Sequence, residues 1–266
     1  MTGKIIVTGA TGGIGAVVTR TLAAQGQSVV MACRNVAKAE ALRTEILAAT
    51  PDARIDIRVL DLTSLASVRA FSQELGDGPV EALFHNAGVI SRGYSLTGDG
   101  LENTFSVNYF APFLLTQLLL PRMTPDARVV SMVSLTCRFV QVDEAALRPE
   151  AKDFSQLGTY ARSKLALLHF SLELARRYPG LRVNLADPGI VNSGIITMGR
   201  WFDPLADVLF RPFIKSPEKG AVPPLGALSA DGRLRYFVGR GSREIPARYL
   251  DPDLQRRLWE ETGRIL

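Results

Sequence analysis

The sequence predicts a doubly wound α/β fold, a mostly parallel seven-stranded sheet with helices on both faces, formed as one domain over residues 1–266. Three observations predict it. Short continuous apolar runs, beginning with Lys4–Thr8, suit strands buried on both faces of a parallel sheet. These runs alternate with longer segments of helical periodicity. The first run also passes directly into a glycine-rich loop and then a helix, the order that places a phosphate on helix N-terminal amides.

That loop reads Gly9-Ala10-Thr11-Gly12-Gly13-Ile14-Gly15, and Val17, Val18 and Leu22 continue it as a helix. Gly9 permits a tight turn, Gly13 a close backbone approach to a pyrophosphate, and Gly15 close packing of helix on strand. The spacing G-x-x-x-G-x-G differs from the common dinucleotide fingerprint, and a plain glycine-rich turn is the alternative. Gln27–Cys33 forms the second strand. Arg34 and Asn35 then stand where NAD-binding folds usually keep an acidic residue for the ribose hydroxyls. A guanidinium suits a 2′-phosphate, which favours NADP(H) over NAD; a surface arginine at the strand end is the alternative. A helix follows over Val36–Ala49.

The third strand, Arg54–Leu60, alternates through Ile55, Ile57 and Val59. Asp61 can then accept a bond from an adenine amine while Leu62 packs on the ring; Asp61 can equally cap the helix Leu65–Leu75. The fourth strand, Glu81–Phe84, runs into His85-Asn86-Ala87-Gly88, whose small residues leave room for a ligand at the sheet crevice. His85 has no neighbouring His or Cys and reads as structural. Asn108, in a helix over Gly100–Leu120, is either a satisfied core amide or part of a water relay. The fifth strand, Arg128–Val133, presents Ser134 at its end, either starting a turn or donating to a substrate carbonyl.

A surface insertion with the charged stretch Asp143–Asp153 leads to the helix of Tyr160 and Lys164, which runs on to Tyr178. That helix is apolar over much of its circumference, so it is expected to pack on the sheet and on something else, such as another subunit. Tyr and Lys four apart share a helix face. An ammonium beside a phenol favours the phenolate, which would tune Tyr160 as a general acid/base. The sixth strand, Leu181–Ala186, leads into Asp187-Pro188-Gly189-Ile190-Val191-Asn192-Ser193. An apolar stretch follows from Trp201 to Ile214, expected as a substrate lid at about 190–225; a membrane-surface or subunit contact is the alternative. Leu234–Val238 is the seventh strand and Leu254–Ile265 a final amphipathic helix.

Composition narrows the function classes. Hydrophobic residues make up 47% and charged residues 21%, which suits a sizeable core. The net charge of +5 is scattered, with no dense basic run, so nucleic acid is not an expected partner. Two cysteines without a CxxC leave no zinc site and point to a reducing, cytoplasmic compartment. The apolar run Phe105–Leu120 carries Ser106, Asn108, Thr116 and Gln117, and reads as a buried helix rather than a membrane span.

Taken in order, Thr8-Gly9-xxx-Gly13-x-Gly15, Asp61-Leu62, Asn86-Ala87-Gly88, Asn108, Ser134, Tyr160-xxx-Lys164 and Pro188-Gly189 resemble the short-chain dehydrogenase/reductase family, a Rossmann-type fold. Ala32-Cys33-Arg34-Asn35, the Phe113–Thr116 run, the long gap before Tyr160 and Arg257-Leu258-Trp259-Glu260-Glu261 resemble its retinol-dehydrogenase-like branch. The sequence departs from the family pattern at His85, Ala111 and the Ser131-Met132-Val133-Ser134 run.

The resemblance implies an NADP(H)-dependent oxidoreductase for an apolar carbonyl or alcohol, retinoid- or steroid-like, with a possible homodimer. An NADP(H)-binding regulator with little turnover is the alternative. It implies catalytic roles for Tyr160 as proton donor/acceptor, Lys164 as its tuning partner on the nicotinamide ribose, Ser134 as the group orienting the substrate oxygen and Asn108 as the anchor of a relay water. Gly9, Thr11, Gly13, Ile14 and Gly15 would hold the pyrophosphate, and Arg34 with Asn35 the 2′-phosphate. Asp61 and Leu62 would contact adenine, Asn86, Ala87 and Gly88 line the cleft, and Pro188, Gly189, Val191 and Ser193 cover the nicotinamide.

Overall fold

The computed structural model describes residues 3–191 and 215–266. Its strands are β1 (Lys4–Thr8), β2 (Ser28–Cys33), β3 (Arg54–Val59), β4 (Val80–His85), β5 (Met123–Met132), β6 (Arg182–Asp187), β7 (Arg235–Val238) and β8 (Gly241–Glu244). They form one sheet in the order β3-β2-β1-β4-β5-β6-β7-β8. The first seven are parallel, as expected. The eighth is an addition: a short edge strand that folds back antiparallel on β7. It escapes the sequence pattern because Gly-Ser-Arg-Glu is exposed throughout and carries no apolar alternation.

The doubly buried strands account for the apolar runs. Ile5 and Val7 of β1 face one side, where Ile14, Val18 and Leu22 of α1 (Gly13–Ala24) meet them. Ile6 and Leu83 face the other, against Val68 and Phe71 of α3 (Leu65–Glu74) and Leu115 and Leu119 further on. α2 (Val36–Ala49) lies on the α1 side, its start capped by the Asn35 side chain accepting from the Lys38 N–H at 2.9 Å. Chain order reverses at β1, which pairs with β2 on one side and β4 on the other. A crevice at such a switch point is where open α/β sheets bind ligands.

The helix expected over Gly100–Leu120 is a composite. α4 (Asn103–Phe105) passes through a π turn over Ser106–Phe110 into α5 (Ala111–Leu119). A π turn inserts an extra residue per turn and commonly marks a functional position; here it carries Asn108. α6 (Gln156–Arg177) bears Tyr160 and Lys164, α7 (Pro217–Ser229) packs on α1, and α8 (Pro252–Ile265) lies across α6.

The outer faces of α5 and α6 are covered within the chain. Trp259 of α8 stacks on Phe170 with centroids 5.6 Å apart and meets Phe113 edge-on at 4.9 Å. The Tyr109 hydroxyl lies 2.6 Å from Thr262 Oγ1. The apolar circumference that suggested a subunit contact is thus satisfied by α8. The insertion before α6 is also anchored inward: Cys137, Val142 and Leu147 are buried, while Glu144 pairs with Arg257 and Arg148 with Glu261. Among the described residues no helix is long and apolar enough to cross a membrane, and no group of His, Cys, Asp or Glu could hold a metal. Residues 217–225 of the expected lid lie in α7; residues 192–214, with Ser193 and the Trp201–Ile214 stretch, lie outside the described residues.

Candidate active site

The cradle forms where β1 and β4 end. Thr8 closes β1, and its hydroxyl donates to the Phe84 carbonyl while accepting from the Asn86 and Ala87 N–H groups at 3.0 and 3.1 Å. Asn86 returns the tie: its Nδ2 donates to the carbonyls of Thr8 and Gly9 at 2.9 and 3.1 Å. Gly9 takes φ +62°, which only glycine adopts without strain. A β-carbon on Gly15 would collide with the Gly9 carbonyl and lie 2.7 Å from Asn86 Nδ2. Gly15 is therefore required by the loop itself, a closer constraint than helix-on-strand packing. Thr11 sits partly buried in the loop, Gly13 opens α1, and Ile14 is buried against the underlying core.

Around this cradle the expected nucleotide-binding residues divide. Arg34 is exposed just beyond β2, free of competition from Asn35, which is committed to capping α2. Asp61 does not cap α3; Ser64 does, accepting from the Ser67 N–H. Asp61 Oδ1 instead accepts from the Thr63 N–H and hydroxyl at 2.9 and 2.7 Å, and Leu62 is buried beside it. Ala87 and Gly88 lie at the carboxyl end of β4. A β-carbon at Gly88 would stand 3.1 Å from Lys164 Nζ and 3.3 Å from Asn108 Oδ1, so this glycine lets the loop approach the catalytic side. Pro188 and Gly189 follow β6, with Gly189 at φ +74°, and Val191 is buried and bridges Lys215.

The catalytic candidates come together beside this crevice. Asn108 is wholly buried; its Oδ1 accepts from the Val89 N–H at 2.8 Å, and its Nδ2 donates to the Val89 carbonyl and Ser163 Oγ, both at 3.0 Å. Lys164, four residues after Tyr160, donates from Nζ to the Met132 carbonyl at 2.9 Å. Ser134 follows β5 and caps a 3-10 turn over Leu135–Phe139, its Oγ accepting from the Thr136 hydroxyl at 2.9 Å. The Ser134 hydroxyl also stands near the Tyr160 phenol and works against the rise in its pKa. Ser131, in the same run, is buried and accepts from Ser171 Oγ at 2.8 Å.

Electrostatics corrects one expectation. Desolvation pushes Tyr160 up to about 12, with Ser134 acting against the rise and Cys137 and Asp187 adding to it. The Lys164 amine is itself desolvated and falls to about 8. His85 is structural, as expected: buried, 2.8 Å from Thr116 Oγ1, and held near 3 by desolvation first and by the Lys164 charge second.

The sequence reading passed over three features of this site. The Met132 carbonyl and the Val89 peptide act through backbone atoms, which carry no side-chain signal. Asp187 did carry one: a carboxylate ending an apolar strand must find a donor. It accepts from the Gly189 N–H and the Tyr236 hydroxyl, both at 2.9 Å.

Comparison with known proteins places this arrangement. The sequence model described as short chain dehydrogenase matches residues 3–198. Retinol dehydrogenase 12 of Mus musculus is 36% identical over 99% of this chain and 86% of its own. Among solved structures, an uncharacterised protein from Mycobacterium paratuberculosis aligns with a TM-score of 0.79 at 31% identity, covering 99% of this chain and 92% of that one. A blue fluorescent protein from a metagenomic library, in complex with NADPH, aligns with a TM-score of 0.63 at 28% identity over 82% and 87% of the two chains. With its sheet order, glycine cradle and Tyr160–Lys164 turn, the chain belongs to the short-chain dehydrogenase family, in its retinol-dehydrogenase-like branch.

Proposed function

We propose that the chain is an NADP(H)-dependent oxidoreductase that interconverts an apolar aldehyde or ketone, retinoid- or steroid-like, with its alcohol. The observation that carries this reading is the meeting of Ser134, Tyr160 and Lys164 at the carboxyl ends of the central strands, beside the glycine cradle. The nicotinamide, when bound, supplies or accepts the hydride. Gly9, Thr11, Gly13, Ile14 and Gly15 leave room for the pyrophosphate against the start of α1. Arg34 answers a 2′-phosphate and Asn35 shapes the turn beside it. Asp61 and Leu62 border the adenine, and Asn86, Ala87 and Gly88 wall the cleft. Pro188, Gly189, Val191 and Ser193 cover its nicotinamide end.

Ser134 holds the substrate oxygen beside Tyr160, whose hydroxyl gives or takes the proton there. Lys164 then reaches the ribose from its anchor on Met132, and Asn108 keeps the Val89 peptide in place below it. The retinol-dehydrogenase name of the relative and the apolar Trp201–Ile214 stretch support an apolar substrate. The two buried free cysteines support a reducing, cytoplasmic setting.

The first test is a side-by-side titration with NADPH and NADH, with Arg34→Ala as control. Tighter NADPH binding that the substitution abolishes is expected; equal affinities would remove Arg34 from the site. Tyr160→Phe should then retain cofactor binding and lose about 10²–10⁴-fold in kcat on an apolar aldehyde panel. Undiminished turnover would overturn the mechanism.

A further inference from the structure

A lysine that the sequence reading did not single out lies against the Pro188–Gly189 turn. The Lys215 N–H donates to the Ile190 carbonyl at 2.9 Å, and Lys215 forms an isolated parallel bridge with Val191. That pairing lays the side chain along the turn. Nζ donates to the Pro188 carbonyl at 3.2 Å, and a β-carbon on Gly189 would stand 2.8 Å from Nζ and 3.4 Å from Cε. Gly189, at φ +74°, therefore supplies both the backbone conformation and the room that the ammonium uses.

The same segment touches the glycine cradle. Pro217 opens α7, and a β-carbon on Gly220 in its first turn would stand 2.7 Å from Val191 Cγ2 and 3.2 Å from Ile14 Cδ1. Ile14 lies in the first turn of α1, directly after the loop. Lys215 is thus fixed between the end of β6 and the start of α1. Its charge is unanswered among the described residues. Lys215 is half-buried and forms no ion pair there; its side-chain partner is one neutral carbonyl. Asp187, the nearest carboxylate along the turn, is taken by the Gly189 N–H and the Tyr236 hydroxyl.

An ammonium has three donors, so one bond to Pro188 leaves capacity for an anion. The glycine loop offers a pyrophosphate amides and a helix start, but no full positive charge. We propose that Lys215 is a cofactor-binding residue whose ammonium pairs with the phosphate on the nicotinamide side of the pyrophosphate. This rests on the reading of the crevice as an NADP(H) site. The choice of phosphate follows from the sheet. Arg34 lies beyond β2, and Lys215 lies on the end of β6, on opposite sides of the β1–β4 switch point. The two cations thus serve opposite ends of one dinucleotide: Arg34 the 2′-phosphate, Lys215 the half that the Pro188–Gly189 turn covers.

The test is calorimetric binding of two probes to the native chain, Lys215→Gln and Lys215→Arg. NADPH carries both halves of the dinucleotide. Adenosine 2′,5′-bisphosphate carries the adenosine half alone, without the nicotinamide-side phosphate. Lys215→Gln keeps a donor for the Pro188 carbonyl and removes the charge; Lys215→Arg keeps the charge. Lys215→Gln should weaken NADPH about 10–100-fold, the worth of a charge-assisted hydrogen bond. It should leave the bisphosphate within about twofold, which also shows that the chain is folded. Lys215→Arg should recover most of the NADPH affinity. If Lys215→Gln binds NADPH like the native chain, the charge makes no contact and the proposal is overturned while the site reading stands. If Lys215→Gln weakens both probes equally, or Lys215→Arg binds NADPH no better than Lys215→Gln, Lys215 serves the turn or the fold and the proposal again fails. A native chain that binds neither probe would sink the site reading, and the proposal with it.

Discussion

Asn108 grips Val89 at both ends of one residue, accepting from its N–H at 2.8 Å and donating to its carbonyl at 3.0 Å. An amide is the side chain that can make both bonds at once, imitating a strand neighbour. The residue so held follows Gly88, the glycine that faces Lys164.

Asn108→Ala leaves both Val89 groups without their partner. Each unsatisfied buried group costs about 1–3 kcal/mol, so a loss of about 2–4 kcal/mol is expected from urea denaturation. Asn108→Asp keeps the carbonyl-side acceptor but loses both donor bonds, and should fall in between at neutral pH. If the alanine chain is as stable as the native one, the clamp is not structural.

The glycine cradle gives a sharper contrast. A β-carbon at Gly15 would meet the Gly9 carbonyl and Asn86 Nδ2, whereas one at Gly12 would come no closer than 3.4 Å to Gly9. Gly15→Ala should therefore distort the loop and weaken NADPH binding by at least about tenfold, equivalent to about 1.4 kcal/mol. Gly12→Ala should bind within about threefold of the native chain, less than 1 kcal/mol. Equal effects of the two, measured by nicotinamide fluorescence, would contradict the packing described for Gly15.

Acid stability follows from the two histidines. Both are buried, and the Nδ1 of each has no hydrogen-bond partner among the described residues. Desolvation holds His85 near 3 and His169 near 4, the latter against an opposing pull from Asp251. Unfolded, both rings take up protons from about 6.5 downward. Between pH 6.5 and 4 the unfolded chain thus binds more protons than the native one, so stability is whole above 6.5 and falls as the pH drops through that window. At pH 4.5 the loss should be about 2 kcal/mol or more per ring. His85→Gln/His169→Gln should flatten the urea midpoint between pH 6.5 and 4.5, at some cost at pH 7. A native midpoint that does not fall over this range would show that the rings are hydrated.

Much of this was readable from the residues. Parallel strands buried on both faces write themselves as apolar runs, and Lys4–Thr8 and Val36–Ala49 fall where their patterns put them. Asn108, Ser134, Tyr160 and Lys164 meet because each sits on an element whose pattern is strong. The polar edge strand β8 left no such pattern, and the π turn at Ser106–Phe110 keeps the same apolar faces as an α-helix while changing its pitch. The direction of the Tyr160 shift was unreadable for another reason: it depends first on how deeply the phenol itself is buried in the fold, and then on Ser134, Cys137 and Asp187, which arrive from other parts of the chain.

Trp259 and Thr262 reach back to Phe113 and Tyr109 across about 150 residues of sequence. A ribosome therefore releases α5 and α6 long before it has made the helix that shields them. During synthesis the Phe113–Phe170 surface is sticky and waiting, and a chain stalled before Pro252 would present it to chaperones or to its neighbours.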